Sequence, residues 1–206
     1  MTNCEDSIEP IAVYLGLGSN MGDREANLRE AIARIRTLGL DVVRESSIYE
    51  TQPVGVTDQP WFLNQVIETR MIVGLTSAGG PVLSGPGTTA MIRAEALLSE
   101  LLEIEQAMGR ERTIANGPRV IDIDLLLFGD AIIGHSRQVE DQAFRGRTEV
   151  LAPHPRMHLR RFVLAPLCEI APEVVHPLLR TSCREILASV DDPSAVRLYE
   201  KGGKLG

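Results

Sequence analysis

An α+β fold with a mostly antiparallel sheet is predicted by three observations. Apolar runs bounded by turn residues alternate with helical periodicity in the order strand, helix, strand, strand, helix, strand, followed by helices. The middle strands are joined in hairpin fashion, with no crossover helix between them. A chain of 206 residues is long enough for one sizeable core, or at most two small ones. This order matches the β-α-β-β-α-β pattern of a ferredoxin-like core with extra C-terminal helices. One domain is expected over 1–206, with its core at about 11–190.

Each element has a local reason. Residues 11–17 are a short apolar run ending at Gly18 and read as a central strand. Turn material follows at 19–23, with Asp23 placed as an N-cap. Leu28, Ala31, Ile32, Ile35 and Leu38 then recur at helical spacing, and Gly39 is placed to end the helix. Residues 42–49 read as a second strand, and 51–60, with two prolines and a glycine, as a loop. Residues 62–73 read as a third strand, with Leu63, Ile67, Met71 and Val73 on one face and Asn64, Glu68 and Arg70 on the other. The uncharged Gly/Pro/Ser/Thr stretch 74–89 reads as an extended surface loop. A strong helix is expected over 90–108, with Leu97, Leu101, Ile104 and Met108 as its buried stripe and Gly109 at its end. A strand around Asp122 to Phe128 comes next, then a polar, irregular region at 130–149. Residues 157–165 look helical, with Pro166 as the limit. Ser182 and Glu185 have capping-box spacing, and the Gly-rich end at 201–206 reads as frayed.

The totals exclude some functions. A net charge of −7 argues against general nucleic-acid binding and makes local basic clusters more telling. Cys4, Cys168 and Cys183 are far apart and form no CxxC pair, which fits free thiols in a reducing cytosol better than disulfides or structural zinc. The first ten residues carry Glu5, Asp6 and Glu9 and lack the basic and apolar regions of a signal peptide; no membrane span is evident. A cytoplasmic protein is expected.

The chemistry-bearing segment is Gly117-Pro118-Arg119-Val120-Ile121-Asp122-Ile123-Asp124-Leu125-Leu126-Leu127-Phe128. Uninterrupted alternation puts Asp122, Asp124, Leu126 and Phe128 on one face and Ile121, Ile123, Leu125 and Leu127 on the core face. Two carboxylates one strand repeat apart repel unless a cation sits between them, and their oxygens suit Mg²⁺ completed by substrate phosphates. Asp-x-Asp alone is weakly specific; two solvated aspartates are the plain alternative. Arg110, Arg112 and Arg119 lie in the loop leading into the pair. Guanidinium groups bind phosphate oxygens in a bidentate way, and arginines with Mg²⁺ around a polyphosphate are the parts of a phosphoryl-transfer site. A second basic cluster runs from His154 through Arg156, His158 and Arg160 to Arg161. Its two histidines lack a third zinc ligand, so phosphate contact is the better reading. Gly16, Gly18 and Gly22 mimic a dinucleotide fingerprint, but Met21 stands at the third glycine position; no P-loop motif occurs.

Together these blocks resemble the 6-hydroxymethyl-7,8-dihydropterin pyrophosphokinase family of folate biosynthesis. The resemblance rests on Leu17-Gly18-Ser19-Asn20, on Ser46 to Thr51 with Asp58 to Asn64, on Gly117-Pro118-Arg119 leading to Asp122-Ile123-Asp124, on Ala152-Pro153-His154, and on Arg160 to Leu167. It implies a three-layer α-β-α form of the ferredoxin-like fold, a monomer, and transfer of pyrophosphate from ATP to the pterin hydroxymethyl group with release of AMP. It implies two Mg²⁺ ions on Asp122 and Asp124, with Arg110 and Arg119 as catalytic-loop arginines. Glu105, Arg112, Leu125, His154 and Arg160 fall where the family binds ATP. Thr51, Val54, Phe62, Asn64 and Phe162 fall around the pterin. Aromatic faces and amide groups are what a flat, uncharged pterin needs. No residue is a necessary general base; Asp122 is the nearest candidate. Ala115 and Asn116 replace the arginine-tryptophan pair that many members carry, Pro155 stands where an aromatic often follows the histidine, and 74–89 and 134–148 read as insertions. Contact with other folate-pathway enzymes is left open. Two other readings also remain: another Asp-x-Asp, Mg²⁺-dependent nucleotide transferase, and a degenerate MgATP-binding module that does not turn over.

Overall fold

A computed structural model describes residues 10–55, 57–72, 86–110, 117–134 and 150–201. Its elements run β1 (Pro10–Ser19), α1 (Arg24–Thr37), β2 (Asp41–Glu45), β3 (Tyr49–Thr51), β4 (Phe62–Ile72), α2 (Pro86–Ala107), β5 (Asp122–Phe128), α3 (Arg161–Ile170), β6 (Val175–His176), β7 (Thr181–Ser182), α4 (Cys183–Ser189) and β8 (Val196–Leu198). The main sheet has the order β5-β1-β4-β3-β8, with β2 also on β4, and its pairings among the described residues are antiparallel. This is the predicted ferredoxin-like α+β fold.

The sheet is covered on both faces. Leu15 and Leu17 of β1 pack with Leu28, Ile32 and Ile35 of α1 and with Leu97 and Leu101 of α2. On the opposite face Tyr14, Val66, Leu126 and Leu127 pack with Val163, Leu164 and Leu167 of α3 and Ile186 of α4. The helix signals hold. The Asp23 side chain accepts the Ala26 N–H, Gly39 and Gly109 end their helices at positive φ, and Ser182 with Glu185 completes a capping box. Among the described residues no helix is long and apolar enough to cross a membrane.

Several expectations are corrected. The second strand is two strands, β2 and β3. The break falls at Ser46, whose hydroxyl takes the Val66 N–H at 3.0 Å in place of a strand carbonyl. Alternation along β5 is interrupted: Leu15 pairs with Leu125 but Tyr14 with Leu127, so Leu126 is the extra residue of a β-bulge. Leu127 therefore joins the core on the carboxylate side, and Phe128 joins the core against α1 and α2. Helix α2 begins at Pro86, inside the stretch taken for a loop. Pro166 sits within α3, where it is buried; the bond it forgoes is offset by packing. The sheet also extends past residue 190, because β8 pairs with β3. Arg197 of β8 meets Glu50 at 2.8 Å and lies 4.9 Å over the Trp61 ring. Residues 74–85, 135–149 and 202–206 of the predicted loops and tail lie outside the described residues.

Glu68 departs from expectation in a different way. It shares the face predicted for it, but that face is covered by α3, and Glu68 is 0% exposed. Arg44 and Arg70 approach its carboxylate at 2.8 and 2.7 Å from the solvent side. Replacing both arginines by alanine leaves a buried carboxylate without its cations and is expected to lower unfolding free energy by about 3 kcal/mol. Urea titration of the double variant checks this; a loss no larger than for a surface arginine would refute it.

Candidate active site

The site lies where the start of β5, the end of β1 and the start of β4 come side by side. Gly18 pairs with Asp122 on one flank and Asn64 on the other, and Gly16 pairs with Asp124. The glycines that mimic a dinucleotide fingerprint are thus its floor. A Cβ on Gly18 would stand 2.8 Å from Asn64 Oδ1, so only glycine lets the amide sit there.

Above this floor is a cavity of about 440 Å³. Eleven of the residues singled out by sequence line it: Arg110, Arg119, Asp122, Asp124, His154, Arg160, Thr51, Val54, Phe62, Asn64 and Phe162. Leu125 does not join them; its side chain lies in the core on the opposite face of β5. Glu105 does not line the cavity either. It is 2% exposed, its Oε1 accepts the Ile123 N–H at 2.7 Å, and it ion-pairs with Arg110. Its place is behind the site, bracing the arginine and the strand. Arg112 lies outside the described residues, as do Ala115 and Asn116.

Polar contacts set the geometry. Arg110 Nη2 lies 2.7 Å from Asp122 Oδ1, and Arg119 Nη1 pairs with Oδ2 of the same carboxylate. The Arg119 guanidinium also lies 5.4 Å over the Phe62 ring. The Asp124 side chain makes no hydrogen bond or ion pair among the described residues. Burial first, and the charge of Asp122 second, push its pKa up to about 7. Two neighbouring carboxylates, one of them under-compensated, fit a hard cation. The described residues contain no cluster of three metal-ligating side chains, so other oxygens must complete the shell. The Asn64 amide donates to Thr51 Oγ1 at 2.6 Å, which fixes its orientation.

Sequence reasoning missed Asn20, read as turn material. It is 2% exposed, its Oδ1 accepts the Arg119 N–H at 2.7 Å, and its Nδ2 donates to Gln59 Oε1 and the Pro60 carbonyl. One buried amide thus ties the arginine loop to the loop before β4. Its spacing carried no signal, because its partners lie far away in the chain. Gln52 and Gln65, also not singled out, line the cavity, as does Arg156 of the basic cluster.

The whole chain can now be set beside known proteins. Residues 14–77 and 87–172 match the family described as 7,8-dihydro-6-hydroxymethylpterin-pyrophosphokinase (HPPK). The chain belongs to the HPPK family. The match pauses over residues 78–86, inside the predicted insertion 74–89, and its second segment spans 134–148. Relatives named 2-amino-4-hydroxy-6-hydroxymethyldihydropteridine pyrophosphokinase include one from Methylorubrum extorquens, 39% identical over 91% of this chain and 98% of its own. Another, from Bacillus subtilis, is 35% identical over 91% and 90%. Some relatives are longer: the chain spans 21% of the folic acid synthesis protein fol1 of Pneumocystis carinii, at 32% identity. A solved HPPK-DHPS structure in complex with substrates superposes with a TM-score of 0.58 at 17% identity, over 87% of this chain and 43% of that one, which supports the shared fold.

His154 has a further property that an HPPK chain can be tested for. Burial first, then the charges of Arg160 and Arg156, lower its pKa from 6.5 to about 4. The unfolded chain takes up this proton near 6.5, the folded one only near about 4. Between those values the unfolded state binds more protons, so stability is intact above 6.5 and lost as pH falls toward about 4. The wild-type urea midpoint is therefore expected to drop more steeply across that window than the midpoint of His154→Gln. Parallel curves would contradict the assignment.

Proposed function

We propose that this chain transfers pyrophosphate from ATP to 6-hydroxymethyl-7,8-dihydropterin, giving AMP and the pterin diphosphate, as a step of folate biosynthesis. The observation that carries the reading is one cavity that joins a carboxylate pair flanked by arginines to a pocket of two phenylalanines and an oriented amide. Phe62 and Phe162 offer faces for a flat heterocycle, Asn64 and Thr51 offer hydrogen bonds to its edge, and Val54 closes its side. His154, Arg160 and, from outside the described residues, Arg112 are assigned to ATP.

Asp122 and Asp124 would hold Mg²⁺, two ions in this reading, together with phosphate oxygens. The bound metal neutralises charge on the polyphosphate. Arg110 and Arg119, parked on Asp122, are in reach of phosphate oxygens once that carboxylate is engaged elsewhere. Their charges then face the transferred group. The displacement at the β-phosphorus is in line, and positioning plus charge neutralisation supply most of the rate. This reading takes the protein as a monomer in the cytoplasm; the free thiols of Cys168 and Cys183 are in keeping with that compartment.

Phosphorus NMR of the protein with MgATP and the hydroxymethylpterin tests the reading. AMP and the pterin diphosphate should form, and only when the pterin is present. ADP as product would favour another nucleotide transferase. Binding without turnover at saturating substrates would favour a degenerate module.

A further inference from the structure

The half of the cavity assigned to the pterin is built on a hairpin loop. β3 and β4 pair through Thr51 and Phe62, and residues 52–61 join them. Thr51, Gln52, Val54, Gly55 and Phe62 line the cavity. Pro53 and Pro60 cannot donate to a backbone ladder, and Gly55 takes a φ of +88°. Such a loop keeps one shape only if contacts outside the hairpin offset the entropy lost in ordering it.

Both feet of the loop are held from outside. At the first foot the Gln52 N–H donates to the Ala195 carbonyl at 3.0 Å, just before β8. At the second, Asn20 donates to Gln59 and Pro60, and Arg24 Nη1 donates to the Trp61 carbonyl at 2.7 Å. Arg197 of β8 joins the two feet. It stands directly across from Glu50, the residue before Thr51, and its guanidinium lies 4.9 Å over the ring of Trp61, the residue before Phe62. Glu50 also pairs in register with Leu63, whose side chain is in the core against α1 and α2. The Glu50–Arg197 pair is therefore on the face of the sheet opposite the cavity, and Arg197 is not among the residues that line it. β8 lies past residue 172, where the match to the family ends.

The Glu50 carboxylate takes two guanidiniums, Arg24 at 3.0 Å and Arg197 at 2.8 Å. Either arginine alone would leave it paired. What Arg197 adds is the plate that covers Trp61 and ties that ring to the strand before Thr51. We propose that Arg197 is a positioning residue for the pterin. Acting through Trp61 and Glu50, it holds Thr51, Gln52 and Phe62 in place before the substrate arrives, so that less ordering is left to binding. The proposal rests on the pyrophosphoryl-transfer reading. It assigns β8 to the pterin half of the site and not to the ATP half.

The test compares wild type with Arg197→Ala, Arg197→Lys, Trp61→Phe, Trp61→Ala and the double alanine variant, in steady-state kinetics and in MgATP binding. Arg197→Ala should raise the KM for the hydroxymethylpterin about fivefold, the size expected of one exposed charge or cation–π contact. Its kcat at saturating pterin and its dissociation constant for MgATP should stay as in wild type. Arg197→Lys should recover part of the loss, because a point charge keeps Glu50 but not the planar stack. Trp61→Phe should behave as wild type and Trp61→Ala as Arg197→Ala, and the two alanines together should be no worse than either alone. Trp61 is the one tryptophan of the chain. Its emission should shift to the red and become more open to acrylamide quenching in Arg197→Ala without any substrate. An unchanged pterin KM would overturn the proposal. Equal losses for pterin and MgATP, with a lowered melting temperature, would make Arg197 merely structural, and additive losses would remove Trp61 as the link. Wild-type protein that makes no AMP with the pterin would sink the functional reading itself, whereas normal wild-type turnover beside an unaltered Arg197→Ala would sink the positioning role alone.

Discussion

Asp124→Asn is expected to fold like wild type and to lose pterin-dependent AMP formation by on the order of 10³-fold. The reason is local. Asp124 lies half-buried in the cavity beside Asp122, and its charge is poorly compensated: its pKa is pushed up to about 7 by burial and by its neighbour. Asparagine has nearly the same shape and removes that repulsion, so the melting temperature should hold or rise. What disappears is the negative oxygen that, in the proposed function, would hold a cation against the polyphosphate. Thermal unfolding and single-turnover AMP formation, each followed over a range of Mg²⁺, separate the two effects. Wild-type turnover at limiting Mg²⁺ would contradict the role, and a collapsed melting temperature would show that the carboxylate is structural.

Arg119→Ala is expected to lower turnover by about 10²-fold while raising the dissociation constant of MgATP far less. Its guanidinium is positioned by Asp122, by the face of Phe62 and by the Gly117 carbonyl, which accepts from Nε at 3.3 Å, and its backbone is held by Asn20 through the Arg119 N–H. Only the side-chain contacts are lost in the variant, so the loop should keep its course. The remaining Asp122 partner is Arg110, which Glu105 braces from behind. Arg119→Lys should recover only part of the rate, because a point charge does not reproduce a planar, bidentate fork. Equal changes in turnover and in ATP binding would place Arg119 in ground-state binding instead. An unchanged rate would remove it from the site altogether.

Much of this protein was legible along the chain. The order of elements, the caps at Asp23 and Ser182, the helix ends at Gly39 and Gly109, and the apolar stripes of α1 and α2 are local signals, each written within a few residues of the feature it sets. The carboxylate pair with its arginines was legible for the same reason, since Arg110, Arg119, Asp122 and Asp124 lie close together in sequence. Residues whose roles depend on distant partners were not. Glu105 carries the composition of a ligand-binding carboxylate, yet its partners are the Ile123 amide and Arg110. Leu125 was expected at the ATP site from the resemblance, but the strand turns its side chain to the other face. Arg197 reads as an ordinary charge until β8 docks it against Glu50 and Trp61.

The sequence by itself determined which elements form and which chemical groups are available, because helix caps, periodicity and charge spacing act over one or two turns. Tertiary structure alone decided which faces those groups take. The single extra residue at Leu126 reverses the strand's alternation, sending Leu127 into one core and Phe128 into the other. A bulge is chosen by the ladder as a whole, since its cost is weighed against packing on both faces of the sheet. The same applies to Gly18. Read locally it is one glycine of a turn; in the sheet it is the gap that lets Asp122 and Asn64 face the same cavity from opposite sides.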